Sequence, residues 1–396
     1  MNSWAFEKWW RQEPISTLME VLNVPLGSAR FVGGCVRNTI LGISITDVDI
    51  ATKHLPNKTI ELLKIAGIKY KTIGLSHGTV TAFIDNNKFE ITTLRRDVET
   101  YGRHAKVEYT DCWYEDATRR DFTMNALFMS SAGEIFDPLD SKSDVLAGYV
   151  RFVGVPSDRL NEDFLRVLRF FRFHAHYGRG EMDPSGLAAC KKYASKVNQL
   201  AGERVREEIF QILVAKNANY IVEKMLECEI FPEIPREKAR LEAFKRLNAM
   251  EGTPDPVRRL AVLVTGPTAP IVDRLKLSKS IAERLVFLAE TQLEVEFNLK
   301  LIKAGIYLHG KERYLDLVIC KTALNPAFGS FLENTRKLVK KWIPPQFPIS
   351  GKDVIALGVQ PGVCVGKILR ETEEWWIAGD FLANHEDCIR WIKSRT

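Results

Sequence analysis

The hydrophobic pattern changes period once along this chain, and that change limits the folds open to it. From about residue 28 to residue 155, short β-branched runs (ARFVGG, TDVDIAT, GTVTAFI, FEITTL and YVRFVG) alternate with helical ones. Beyond Asn161 apolar residues recur at three and four spacing almost to the end, with breaks at Asp183-Pro184, Gly252 to Pro256, Gly266-Pro267 and Pro344-Pro345. A strand-bearing α/β head therefore precedes an all-helical remainder. Within the head, Asp85, Asn86 and Asn87 separate two strand-like runs and predict a hairpin. Residues 1 to 22 predict one amphipathic helix, with Trp4, Phe6, Trp9 and Trp10 docking on the segment after it.

A length of 396 residues, 45% of them hydrophobic, exceeds one ordinary core and predicts two to four packed units. No run reaches the roughly 18 consecutive apolar residues of a membrane span, and Glu7, Arg11 and Glu13 among the first aromatics argue against a signal peptide. The seven cysteines are scattered without a CxxC pair, which indicates neither a zinc site nor a disulfide framework and predicts free thiols in a reducing, cytoplasmic compartment. With 56 Lys and Arg against 50 Asp and Glu, the formal charge of +6 suits a polyanionic partner, and equally suits a plain solvated surface.

The segment RFVGGCVRNTILGISITDVDIAT concentrates the chemistry. A strand ending at Val32 turns at Gly33 and Gly34 into a helix over Val36 to Leu41, so backbone amides and Arg37 can approach a phosphate. Alone, this is also the pattern of a simple turn. Asp47-Val48-Asp49 follows thirteen residues after Gly34, and strand alternation puts both carboxylates on one face, where they can share divalent cations for in-line phosphoryl transfer. A solvated strand end is the competing reading. Glu90, on the face of its strand opposite Phe89 and Ile91, is the candidate third carboxylate; an exposed strand glutamate would look the same.

Farther along, Asp163, Arg166, Arg169 and Arg172 recur every three residues in a helix expected to start near Asn161. Its other positions, such as Phe164, Leu168, Phe170 and Phe171, are apolar, so the charged stripe needs partners: a salt-bridged face, or a ligand.

The Gly-Gly turn, Arg37 and the Asp47-x-Asp49 pair resemble motif A of the polymerase-β superfamily, and in detail the class II tRNA nucleotidyltransferases. ATRRDFTMNAL is similar to motif B, NEDFLRVLRFFRF to motif D and GERVREEIFQIL to motif E, the four together spanning about residues 28 to 215. The resemblance implies a polymerase-β-like head with a mixed sheet over residues 1–155, a helical nucleotide-recognising neck over 156–232, and a helical body and tail binding tRNA over 233–396. It implies addition of C, C and A to tRNA from CTP and ATP, with two Mg2+ ions on Asp47 and Asp49, and no obligate protein partner. Nucleotide contacts would come from Gly33, Gly34, Arg37, Arg120, Asp121, Asp163, Arg166, Arg169 and Arg172. In this setting Asp163 can accept from an exocyclic amino group while Arg166 donates to ring acceptors, a combination that cytosine and adenine satisfy and uracil and guanine do not.

Two departures stand out: Asn38 follows the arginine where the family commonly has Asp, and the Asp137-Pro138-Leu139-Asp140-Ser141 segment lacks the Gly-Gly pair of motif C. The polar stretch from Arg95 to Asp116 is similar to the family's flexible loop, needed for switching from C to A. In the tail, Gly358, Pro361 and Gly362 predict a turn between helices, beside Lys367 and Arg370. Rival readings are an enzyme adding only CC or only A, a bacterial poly(A) polymerase, or a non-catalytic tRNA-binding protein.

Overall fold

Seven strands of one sheet carry the first part of the chain, seen in a computed structural model that describes residues 8–101, 104–234, 236–294 and 298–395. Trp4 and Phe6 lie outside the described residues. The predicted single N-terminal helix is instead a short 3-10 turn, Trp9–Arg11, then a separate helix α1 (Ile15–Leu22) after Pro14, because proline cannot continue a helix in its interior. Trp9 is fully buried against Phe31, ring centroids 4.8 Å apart, so this aromatic packs as expected.

Strand β1 (Ala29–Val32) ends at Gly33, whose φ of 72° and ψ of −125° suit glycine alone, and helix α2 (Gly34–Leu41) starts at once. Strand β2 (Val48–Thr52) returns antiparallel to β1, with Val32 opposite Asp49. Helix α3 (Pro56–Ile65) carries the chain to β3 (Lys69–Lys71), β4 (Thr79–Ile84) and β5 (Asn87–Thr93). The β4–β5 hairpin turns on Asp85 and Asn86, both at positive φ, as the sequence predicts. Strand β5 then lies parallel to β2 and places Glu90 beside Asp49.

The stretch read as a flexible polar loop folds largely as a two-stranded ribbon, β6 (Arg95–Tyr101) with β7 (His104–Tyr109); Gly102 lies outside the described residues. Helix α4 (Trp113–Thr118) comes next, and β8 (Phe128–Met129) and β9 (Ile135–Phe136) complete the sheet in the order β3-β4-β5-β2-β1-β8-β9.

Helices α5 (Lys142–Ala147), α6 (Pro156–Glu162), α7 (Leu165–Tyr177), α8 (Pro184–Lys192), α9 (Gly202–Val214) and α10 (Ala218–Glu227) finish the first unit, which closes at Pro232. An aromatic cluster fixes α7 to the sheet-bearing part: Phe122 meets Phe173 at 4.8 Å and Phe152 at 5.0 Å, and Phe152 stacks on Phe170 at 5.3 Å. Such rings bury large apolar area in fixed geometry, so the face of α7 opposite them is fixed too.

The second unit, Glu233–Thr396, is helical throughout its described elements. Its core gathers Leu260, Leu263, Leu285, Leu288, Leu317 and Val318, and a separate cluster around Val354, Trp376, Cys388 and Ile392 holds the last helices together. Glycines at 358 and 362, both at positive φ, turn the chain between helices Gly351–Ala356 and Val363–Ala378, where the sequence places a turn.

Candidate nucleotide-binding active site

The end of β1, the start of α2, the approach to β2 and the charged face of α7 enclose a cavity of about 460 Å³. Gly33, Gly34, Arg37, Asp47, Asp49, Arg120, Asp121, Arg169 and Arg172 line it. Residues from three separate stretches of sequence therefore meet at one surface.

Asp47 and Asp49 flank Val48, which is buried at 3% exposure while both carboxylates are exposed. Alternation sorts them as expected, although Asp47 lies just outside the strand and accepts from Thr46 Oγ1 at 3.0 Å. Enclosure by the cavity walls, then the Glu90 carboxylate and Asp47, push the Asp49 carboxyl up to about 6 against the pull of Arg120 and Lys88. A divalent cation bound by these oxygens would relieve that crowding, and hard carboxylate oxygens are the donors such ions take. Glu90 itself is held by Lys88 Nζ at 2.6 Å and does not line the cavity. Among the described residues, no three acidic, histidine or cysteine side chains form a set that could hold a metal ion, so the aspartate pair offers only part of a coordination shell.

The arginines are held in different ways. Arg120 and Arg119 share Asp116, a carboxylate at 1% exposure, each with a contact of 2.7 Å. Asp121 accepts the amide of the buried Phe122 beside it at 2.9 Å and receives Arg169 Nε at 2.8 Å and Asn125 Nδ2 at 3.1 Å. Burial alone would raise the Asp121 carboxyl, but Arg169 and the asparagine amide hold it down at about 2. Burial works against the Arg169 cation, yet Asp121, Glu208 and Asp163 together keep its pKa above the ordinary value. Arg172 pairs with Glu208 at 3.2 Å.

Asp163 departs from the sequence prediction. Helix α6 ends at Glu162 and α7 begins at Leu165, so Asp163 sits in extended backbone between them and is not the first member of a helical stripe. Its Oδ1 accepts the Leu165 amide at 3.0 Å, the local side-chain bond by which aspartate interrupts helices. Its Oδ2 receives Arg204 Nη2 from α9 at 2.7 Å. Arg166 reaches Glu162 and donates to the Arg159 carbonyl at 2.9 Å. Neither Asp163 nor Arg166 lines the cavity floored by the glycines.

Sequence reasoning overlooked Asn125, Phe173, His176, Tyr177 and Gln211, all of which line the cavity. A signal existed for two of them: His176 and Tyr177 stand seven and eight residues beyond Arg169, on the same helical face.

Family models match this chain in two places: the "Poly A polymerase head domain" over residues 29–151, and the "Probable RNA and SrmB- binding site of polymerase A" over residues 181–238. The human CCA tRNA nucleotidyltransferase 1, called mitochondrial, is 32% identical over 96% of this chain and 90% of its own length. The chain belongs to the CCA tRNA nucleotidyltransferase family. The CCA-adding enzyme of Ligilactobacillus salivarius strain UCC118 is 30% identical over 91% of each chain. Among solved structures, the Bacillus stearothermophilus CCA-adding enzyme in complex with CTP superposes with a TM-score of 0.77 at 25% identity, covering 97% of this chain and 98% of that one. The mixed sheet followed by helical units is thus the fold of CCA-adding enzymes, and no described helix is long and apolar enough to cross a membrane.

Proposed function

We propose that this chain adds C, C and A to the 3′ end of tRNA from CTP and ATP, without a nucleic-acid template, releasing pyrophosphate. One observation carries the reading: the Asp47 and Asp49 carboxylates, the Gly33-Gly34 turn and the arginine face of α7 line a single cavity. Nucleotidyltransferases of this type use divalent metal ions, and here the reading is two Mg2+ on Asp47 and Asp49, with Glu90 as a nearby third carboxylate. Such ions lower the pKa of the attacking hydroxyl and neutralise charge on the leaving group.

The chain's own residues supply the rest. Gly33 and Gly34 let backbone amides approach the phosphates closely, and Arg37, Arg120, Arg169 and Arg172 add positive charge around them. Asp121 fixes Arg169 in place. Asp163 accepts from the amino group of cytosine or adenine and Arg166 donates to the ring, so that uracil or guanine would leave an acceptor facing an acceptor. Residues 1–155 act as catalytic head, 156–232 as nucleotide-recognising neck, and 233–396 as tRNA-binding body and tail. Cysteines that form no disulfide among the described residues fit a reducing compartment, and the cytoplasm is our assignment.

Incubating the full chain with labelled CTP, ATP, Mg2+ and a tRNA transcript lacking its CCA end tests this function. Extension by three nucleotides that stops on chelation of the metal is expected. Incorporation that persists in chelator, or a long adenylate run, would contradict it.

A further inference from the structure

Arg37 differs from every other arginine in the cavity. Arg120 has Asp116, Arg169 has Asp121 and Arg172 has Glu208 as counter-charge. Arg37 is buried at 5% exposure, yet among the described residues no carboxylate lies within ion-pair distance of it. Its hydrogen-bond partners among the described residues are all neutral. Nη1 donates to Asn125 Oδ1 at 2.7 Å, Nη2 to the Tyr177 hydroxyl at 2.7 Å, and Nε and Nη2 share Asn38 Oδ1 at 3.2 and 3.0 Å. The Tyr177 ring also lies under the guanidinium, 3.8 Å from centroid to Cζ. Asn38 Nδ2 donates to the Ser44 carbonyl at 3.3 Å, which fixes the amide with its oxygen toward Arg37.

A buried cation without a counter-ion in contact is costly, and burial accordingly pushes the Arg37 pKa down, with the Asp121 carboxylate pulling against it from beyond ion-pair distance. An oxygen cage of this kind fixes the fork geometry without a carboxylate in contact with the cation, which faces a cavity that Gly33 and Gly34 open to phosphate. Tyr177 comes from the last turn of α7, whereas Arg37 and Asn38 come from α2. The cage therefore joins the phosphate end of the cavity to the helix that carries the other arginines.

We propose that Tyr177 is a positioning residue that, with Asn38 and Asn125, holds Arg37 in a neutral cage so that a guanidinium no carboxylate contacts meets the triphosphate of the incoming nucleotide. The inference rests on the proposed nucleotidyl transfer but concerns anion binding, which is measurable without it. Asn38 gains a meaning of its own, because a carboxylate at that position would neutralise the cation from inside the cage.

Calorimetric titration of the full-length protein with inorganic tripolyphosphate in Mg2+, beside KM for CTP, tests this. Tyr177→Phe keeps the ring and loses the hydroxyl; Asn38→Asp keeps the shape and adds a charge. Both should weaken tripolyphosphate binding about three- to tenfold and raise KM by a similar factor, with kcat changing less, as loss of one charge-assisted contact would do. Wild-type affinity in either variant overturns the proposal. Should Tyr177→Phe melt too early to be titrated, Asn38→Asp alone decides. A wild-type protein that binds tripolyphosphate but extends no tRNA would refute the functional reading and leave the cage standing, whereas normal extension with unmoved affinities in the variants would refute the cage alone.

Discussion

Arg204 Nη2 on α9 lies 2.7 Å from Asp163 Oδ2, so the acid that would read an exocyclic amino group is already steered by a cation. The same carboxylate caps the Leu165 amide with its other oxygen. Two anchors leave it one orientation. Replacing Arg204 with Ala frees one oxygen, and discrimination of CTP and ATP against UTP and GTP should fall about three- to tenfold. Asp163→Ala with Arg166→Ala should relax it further while some transfer persists. Incorporation from each single NTP reads both variants, and unchanged selectivity in the double variant would remove Asp163 and Arg166 from the recognition role.

Asp49 is crowded by Glu90 and Asp47, and its carboxyl is pushed up to about 6. Asp49→Asn removes that repulsion. The melting temperature of the metal-free protein should therefore hold steady or rise, while incorporation falls on the order of 10²- to 10³-fold, the scale of losing one electrostatic contact made in the transition state. Thermal unfolding and single-turnover incorporation separate the two effects.

The Asp121 carboxyl, held at about 2 against its ordinary 3.8, stabilises the fold in a defined pH range. Its folded pKa is the lower one, so the contribution is complete above 3.8 and is lost as pH falls through about 2. Asp121→Asn removes the nearest counter-charge of Arg169, leaving Glu208 at 3.9 Å, and should cost about 2 kcal/mol near neutrality. Denaturant titrations from pH 7 down to 2 should show the gap between wild type and variant closing as acid protonates the wild-type group.

Gly148 ends α5 at a φ of 67°, and a Cβ there would stand 2.8 Å from the Tyr177 carbonyl oxygen. Arg179 also donates its amide to the Gly148 carbonyl at 2.9 Å. Gly148→Ala should destabilise the first unit by about 1 to 3 kcal/mol, measured by urea unfolding.

How much of the fold and site is legible in the sequence depends on the range of the forces involved. Local rules place the Gly33 turn, the Asp85-Asn86 hairpin and the alternation around Val48, because each arises from backbone sterics within a few residues. The same rules mislead at Asp163, where a three-residue rhythm reads as one helix and a side-chain bond to the Leu165 amide breaks it. Pairings such as Asp163 with Arg204, or Arg37 with Tyr177, span 41 and 140 residues, and nothing in the local pattern encodes them. The ribbon from Arg95 to Tyr109 is hidden because its polar residues lack the alternation that marks a half-buried strand. The Asp121 and Arg169 contact becomes intelligible only once Phe122, Phe152, Phe170 and Phe173 have packed α7 against the segment before it.

The most direct test of nucleotide selection without a template uses three tRNA transcripts, ending before the first C, after one C and after two, each offered CTP, ATP, UTP or GTP alone. Selection by the protein's own side chains should give CTP incorporation on the first two, ATP incorporation on the third, and negligible UTP or GTP throughout. Comparable UTP or GTP incorporation, CTP incorporation with no ATP on any transcript, ATP incorporation with no CTP on any, or ATP addition without a stop after one residue would contradict it.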